Sequence, residues 1–317
     1  MSEKRESFLK ILSEIPVSIN VTFGDALMPR QWDNTLMKLR TLASCGHRGP
    51  IMIGSKYIVS DAQLEEISRI KEDVWLFIAI TGIDDCCIFT TKEYEDYYLR
   101  ASRYLKNVVC AIRPIIPHRN DNIETLLPVI QTVGKGRKML TYGGYKDTKI
   151  VGYPQYRNED LFNRLEQECK KKSILCKEKS VCLVCAANGI DCFVHSKSAP
   201  INHDLIEAFG YRFNMENGQL IVTGYKDSDF LSKGDISFIR MLSRSSLVSG
   251  KISSPFQILS PRLNDTSLVS TSSWFNWTRQ TYCDVRCDYC SADYDSKIRL
   301  DLEHFGCNPT DLIEILQ

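Results

Sequence analysis

Near the end of the chain, Thr281-Tyr-Cys-Asp-Val-Arg-Cys-Asp-Tyr-Cys290 sets Cys283, Cys287 and Cys290 at the spacing C-x3-C-x2-C. Three thiolates so close together are soft ligands, suited to an iron–sulfur cluster or a soft metal. A structural zinc site normally recruits a fourth Cys or His at short spacing, whereas three ligands leave one metal position open to an exogenous molecule. A zinc knuckle is the competing interpretation of the same residues. The residue before the last cysteine is aromatic, Tyr289. A strand-like aromatic run, Ser272-Ser-Trp-Phe-Asn-Trp-Thr-Arg-Gln280, leads into the motif.

Something must hold such a loop, and the first half of the chain supplies a regular scaffold. Val17-Ser-Ile-Asn-Val-Thr-Phe23 alternates as a strand, and apolar runs at 50–54, 74–81, 107–113 and 138–142 read as four more. Between and around them, helical spacing of apolar residues predicts helices over 4–14, 31–44, 61–71, 91–105, 121–133 and 159–173. Strand and helix alternating this regularly, with strands apolar on both faces, predicts an α/β fold built on a parallel sheet. Residues 196–270 differ in kind. Tyr211–Thr223 reads as a hairpin turning at Asn217-Gly218, and serine-rich stretches at 243–254 and 266–273 read as loops or edge strands, so a β-rich module is expected there.

Composition bounds the function. The chain has 317 residues, 43% hydrophobic and 25% charged, enough for one large or two ordinary domains. Its 40 basic and 39 acidic side chains leave a formal charge of +1, with no global field toward nucleic acid or anionic membrane. No apolar run approaches the roughly 20 residues of a membrane helix, and Met1-Ser-Glu-Lys-Arg-Glu-Ser7 lacks a signal peptide's apolar core. The expectation is a cytoplasmic protein with no membrane partner, whose 13 cysteines are reduced and serve ligation more than disulfides. A second set, Cys182, Cys185 and Cys192 with His195 nearby, has spacing fit for an auxiliary cluster, although Val181–Ala187 is apolar and free cysteines are common buried residues.

The motif Cys283, Cys287, Tyr289, Cys290, on a loop after a strand, resembles the signature of the radical S-adenosylmethionine (SAM) superfamily. That resemblance implies a partial (β/α)6 TIM-like barrel whose cluster loop follows strand one. The five strands of the first half then read as strands two to six, and the strand 274–281 supplies strand one from the C-terminal side. The implied fold is therefore circularly permuted: residues 1–195 hold strands two to six and their crossovers, 196–270 the inserted β-rich module, and 271–317 strand one with its cluster loop.

The resemblance also implies roles. Cys283, Cys287 and Cys290 would ligate a [4Fe-4S] cluster, with Tyr289 beside it. Gly24-Asp25 sits where the family has its GGE-type motif, so Asp25 would receive the SAM amino group. Gly54-Ser55-Lys56 and Arg113-Pro-Ile-Ile-Pro117 are similar to strand ends of the spore photoproduct lyase-like branch, where a basic residue meets the SAM carboxylate. Thr81 would reach the ribose. The bland readings are a turn aspartate, surface ion pairs and a capping threonine. Tyr142-Gly-Gly-Tyr145 is expected to let backbone approach a ligand, or simply to turn. The implied activity is reductive SAM cleavage to a 5′-deoxyadenosyl radical that takes hydrogen from a substrate, served by a one-electron donor such as flavodoxin or ferredoxin. The branch favours a nucleobase, free or in nucleic acid. A peptide or small metabolite, or a non-enzymatic zinc- or cluster-binding interaction protein, stand as alternatives.

Overall fold

The computed structural model describes residues 17–21, 25–44, 47–84, 88–145, 156–189, 203–208, 210–225, 239, 248–250, 267–271, 274–279 and 298–300. Strands β1 (Val17–Val21), β2 (Ile51–Ser55), β3 (Val74–Ala79), β4 (Asn107–Ile115), β5 (Met139–Gly144) and β6 (Leu175–Lys177) alternate with five helices. These are α1 (Trp32–Ser44), α2 (Asp61–Ile70), α3 (Thr91–Tyr104), α4 (Ile123–Lys135) and α5 (Glu159–Lys171). Local chemistry fixes where they start. Ser60 and Gln63 form a capping box on α2 and Thr90 and Glu93 another on α3, while Asn122 and Asn158 accept from the first turns of α4 and α5. The expected helix 4–14 lies outside the described residues.

The sheet has nine strands in the order β12-β10-β11-β1-β2-β3-β4-β5-β6, where β10 is Ser267–Thr271, β11 Trp274–Arg279 and β12 Ile298–Leu300. Every neighbour from β11 to β6 pairs in parallel, so strand order follows chain order from β1 onward. The expected pairing of the aromatic strand with residues 17–23 is present, with Val17 opposite Phe275 and Val21 opposite Arg279. Beyond β11 the sheet differs from a plain parallel array. β10 runs antiparallel to both β11 and β12. Three short strands, β6, β10 and β12, extend the sheet past the six expected.

One side of every central strand packs on the helices. Ile51 and Ile53 of β2, Leu76 and Ile78 of β3 and Cys110 and Ile112 of β4 share a buried cluster with apolar residues of all five helices. Each fully buried aliphatic side chain there contributes about 1.5–3 kcal/mol. The alternate residues, Met52, Trp75, Phe77, Val109 and Met139, face the other way and pack on Leu183 and Val184 of α6 (Ser180–Ala187). All five crossover helices thus share one face, and α6 lies on the opposite one, an arrangement compatible with a partial barrel. The α6 contacts sit toward the starts of the strands. Toward their ends the same face narrows to Gly54, Ala79 and Ala111, and Gly54 is exposed.

Helix α7 (His203–Ala208) precedes the hairpin of β7 (Tyr211–Glu216) and β8 (Gln219–Tyr225). It turns at Asn217 and Gly218, both with positive φ, as the Asn-Gly pair predicts. Strand β9 (Val248–Gly250) joins β8 in parallel to complete a separate three-stranded sheet. The range read as the 196–270 module therefore ends in a strand, β10, that belongs to the nine-stranded sheet.

Candidate active site at the C-terminal rim of the sheet

In a singly wound parallel sheet the loops leaving the C-terminal strand ends share one rim, and ligands bind there. The register opposes Arg279, the last residue of β11, to Val21, the last of β1. The described ends of β1 and β11, from which the chain continues to Asp25 and to Cys283, are therefore neighbours. Three residues separate Arg279 from Cys283, four Cα steps with a reach of at most about 14 Å. Cys283, Cys287, Tyr289, Cys290 and Gly24 themselves lie outside the described residues.

Asp25 is buried and is the anchor of this rim. Its Oδ1 accepts from Leu27 N at 2.9 Å and from Ser55 Oγ at 2.7 Å. Its Oδ2 accepts from Tyr57 N at 3.2 Å and from Lys56 N. Two acceptances at each oxygen use the capacity of the carboxylate. Burial pushes its pKa up, opposed by the hydrogen bonds from Lys56, Ser55, Leu27 and Tyr57. In this structure the carboxylate expected to receive an amino group clamps the β1 loop to the β2 loop. A turn aspartate on the surface does not describe it, because it is buried.

The remaining candidates fall along the same rim. Ser55 and Lys56 meet Asp25 directly, and the Lys56 carbonyl accepts from Tyr94 Oη at 2.7 Å. Tyr57, Phe89 and Tyr94 stack edge to face above them. Thr81 is buried, and its hydroxyl donates to Ile83 O at 3.1 Å and accepts from Ile83 N at 3.4 Å, closing its own turn as a cap does. Arg113, half-buried in β4, donates from Nε to Tyr142 O at 3.1 Å and from Nη2 to Glu178 O. Burial lowers its pKa, and Glu178 opposes that. Arg113 therefore ties β4 to β5 and to the segment after β6; the surface ion pair allowed for at this position is not what forms.

One feature of the rim escaped the sequence and another serves a different purpose from the one expected. Asn120 is fully buried, accepts from Ile116 N at 2.6 Å through Oδ1, and donates from Nδ2 to Thr81 O at 2.7 Å and Pro114 O at 3.1 Å. It links the β3 and β4 loops as Asp25 links those of β1 and β2. The turn-rich run His118-Arg-Asn-Asp121 after an apolar strand was the signal available for it. Gly144, expected to admit a ligand or a turn, lies within β5 instead. A Cβ there would collide with the Tyr156 carbonyl, and Tyr156 N donates to Tyr145 O at 2.7 Å, so the close approach is made by the chain itself.

Of the auxiliary set, Cys182 and Cys185 lie one turn apart on α6, Cys185 buried, while Cys192 and His195 lie outside the described residues. Among the described residues no group of three His, Cys, Asp or Glu side chains is arranged to hold a metal ion. No described helix is long and apolar enough to cross a membrane. No protein-family model, curated protein or solved structure matches the chain.

Proposed function

We propose that this chain is a radical SAM enzyme built on a circularly permuted partial barrel, with β11 as its first strand. The observation that supports this most is the parallel register of β11 on β1, Val21 opposite Arg279, because the strand ends from which the chain continues to the cysteines and to Asp25 are neighbours. A zinc knuckle on an independent tail would need no such pairing. The single face shared by the five crossover helices supports the barrel.

The donor set fits an iron–sulfur cluster: three thiolates within Cys283–Cys290, with no fourth cysteine or histidine among them. Cys283, Cys287 and Cys290 hold the cluster in this reading. The chemistry such a group supplies when bound is one-electron reductive cleavage of SAM to methionine and a 5′-deoxyadenosyl radical that takes hydrogen from substrate. The chain's own residues bind and orient. Gly24, Lys56 and Tyr289 are the SAM-facing candidates. Asp25, Ser55, Thr81 and Arg113 hold the rim in shape around them, since their polar groups are committed to backbone and to each other. Helix α6 seals the floor of the sheet face against water, leaving Gly54 and Ala79 at the open end. A flavodoxin- or ferredoxin-type donor supplies the electron, and a nucleobase, free or in nucleic acid, is the proposed substrate.

Anaerobic reconstitution with iron and sulfide tests this reading. A cluster whose reduced electron paramagnetic resonance spectrum shifts on adding SAM supports it. A colourless chain that takes up stoichiometric zinc through the same cysteines replaces it with the interaction-protein reading.

A further inference from the structure

Away from the rim, three cysteines converge where α5 covers the edge of the sheet. Cys110 of β4 and Cys176 of β6 flank Leu140 of β5 in one register row, and Cys169 descends from α5 onto them. The backbone brings Cys169 and Cys176 together, since Ile174, two residues before Cys176, donates its N–H to the Cys169 carbonyl at 2.9 Å, and the neighbouring Cys169 thiol raises the pKa of Cys176. Lys172 N donates to the same carbonyl at 3.1 Å. Cys110 lies two strands from Cys176, roughly 10 Å away at ordinary strand spacing, beyond disulfide reach. Cys169 is fully buried, whereas Cys176 is only partly buried. It lines a groove of about 710 Å³ beside Asn163, Glu166, Gln167 and Lys170.

We propose that Cys176 is a thiol-modification site for small peptide disulfides of the glutathione type, with Cys169 as its resolving partner. The groove suits such a ligand. Lys170 offers a cation to its carboxylates, Glu166 an anion to its ammonium, and Asn163 and Gln167 amide partners for its backbone. In the first step the Cys176 sulfur attacks one sulfur of the disulfide, forming a mixed disulfide and releasing one glutathione, which keeps the Cys176 proton. In the second, the Cys169 sulfur attacks the Cys176 sulfur and releases the second glutathione with the Cys169 proton. Two thiols of the chain are oxidised to one disulfide, and the peptide disulfide is reduced to two thiols. The product staples the C-terminal turn of α5 to the edge strand β6. The neighbouring Cys169 thiol, burial and the nearby Glu166 hold the Cys176 thiol protonated, so the exchange is slow compared with that of a free thiol.

The test incubates the folded full-length chain with oxidised glutathione, blocks remaining thiols and maps tryptic peptides by mass. The expected product joins Leu165–Lys170 to Ser173–Lys177 with the loss of two hydrogens, and it is reversed by a dithiol reductant. In Cys169→Ser the same treatment should leave one glutathione on Ser173–Lys177. In Cys176→Ser it should leave Leu165–Lys170 unmodified. Should the wild type keep Cys176 unreacted while other cysteines are modified, or accumulate a lasting mixed disulfide at Cys176, the pairing is wrong. A crosslink from Cys176 to the peptide carrying Cys110 would overturn the assignment of the resolving thiol.

Discussion

Ser55 donates its hydroxyl to the buried carboxylate of Asp25 at 2.7 Å, joining loops that leave neighbouring parallel strands 30 positions apart. Three backbone N–H groups complete the same carboxylate. Removing it as Asp25→Ala leaves those donors buried without an acceptor, a loss of about 3–5 kcal/mol. Asp25→Asn is expected to fail as well, because its amide would face N–H groups of Lys56 or Tyr57. Urea unfolding of both variants checks this; wild-type midpoints would show that the clamp carries no weight.

Asn120 plays the corresponding part between β3 and β4. Asn120→Asp keeps the shape but turns its two donations, to Thr81 O and Pro114 O, into a carboxylate facing carbonyl oxygens. The expected destabilisation is about 2–4 kcal/mol by equilibrium denaturation. Unchanged stability would mean that the loop tolerates rearrangement.

The strands of this fold were legible because each is a short apolar run between turn signals, and the hairpin at Asn217-Gly218 because only a few dipeptides accept positive φ twice. The partnership of β11 with β1 was legible through the cysteines, which implied a strand needing a particular neighbour. By contrast β6, β10 and β12 are three to five residues long and show no usable period. The site was legible as positions and not as roles. Asp25, Ser55, Lys56, Thr81 and Arg113 stand on strands or in the loops that leave their C-terminal ends. That Asp25, Thr81 and Arg113 spend their polar groups on backbone depends on partners 2 to 65 residues away, which no local pattern encodes.

Acid titration should expose the helix caps. Thr91 N donates to Asp84 Oδ1 at 2.6 Å, and this bond holds the Asp84 pKa below its ordinary 3.8. A lowered carboxylate contributes stability that is present above the ordinary pKa and lost as pH falls through the lowered one. The stability gap between wild type and Asp84→Ala should therefore be constant near neutrality and shrink as pH drops below 3.8. A gap that widens in acid contradicts the cap. Asp25, with its pKa raised by burial against the opposing hydrogen bonds, carries a protonation-linked term of the opposite sign: that term favours the fold in acid and fades as pH rises through the raised pKa, while the four hydrogen bonds to the carboxylate remain.

Each of Cys283→Ala, Cys287→Ala and Cys290→Ala should abolish most iron retention after anaerobic reconstitution, because each removes one of three protein ligands. Cys182→Ala and Cys185→Ala should keep the iron content of the wild type if those residues serve only the packing of α6. Iron and sulfide analysis after desalting distinguishes the two groups.

The most direct measurement is product analysis: reconstituted, reduced chain is mixed anaerobically with SAM and assayed for 5′-deoxyadenosine and methionine. The proposed function predicts a brown protein with about four iron per chain that forms both products and needs all three cysteines of the 283–290 loop. Full iron loading with no SAM cleavage, or cleavage that persists in the triple Cys283→Ala, Cys287→Ala, Cys290→Ala variant, would contradict it.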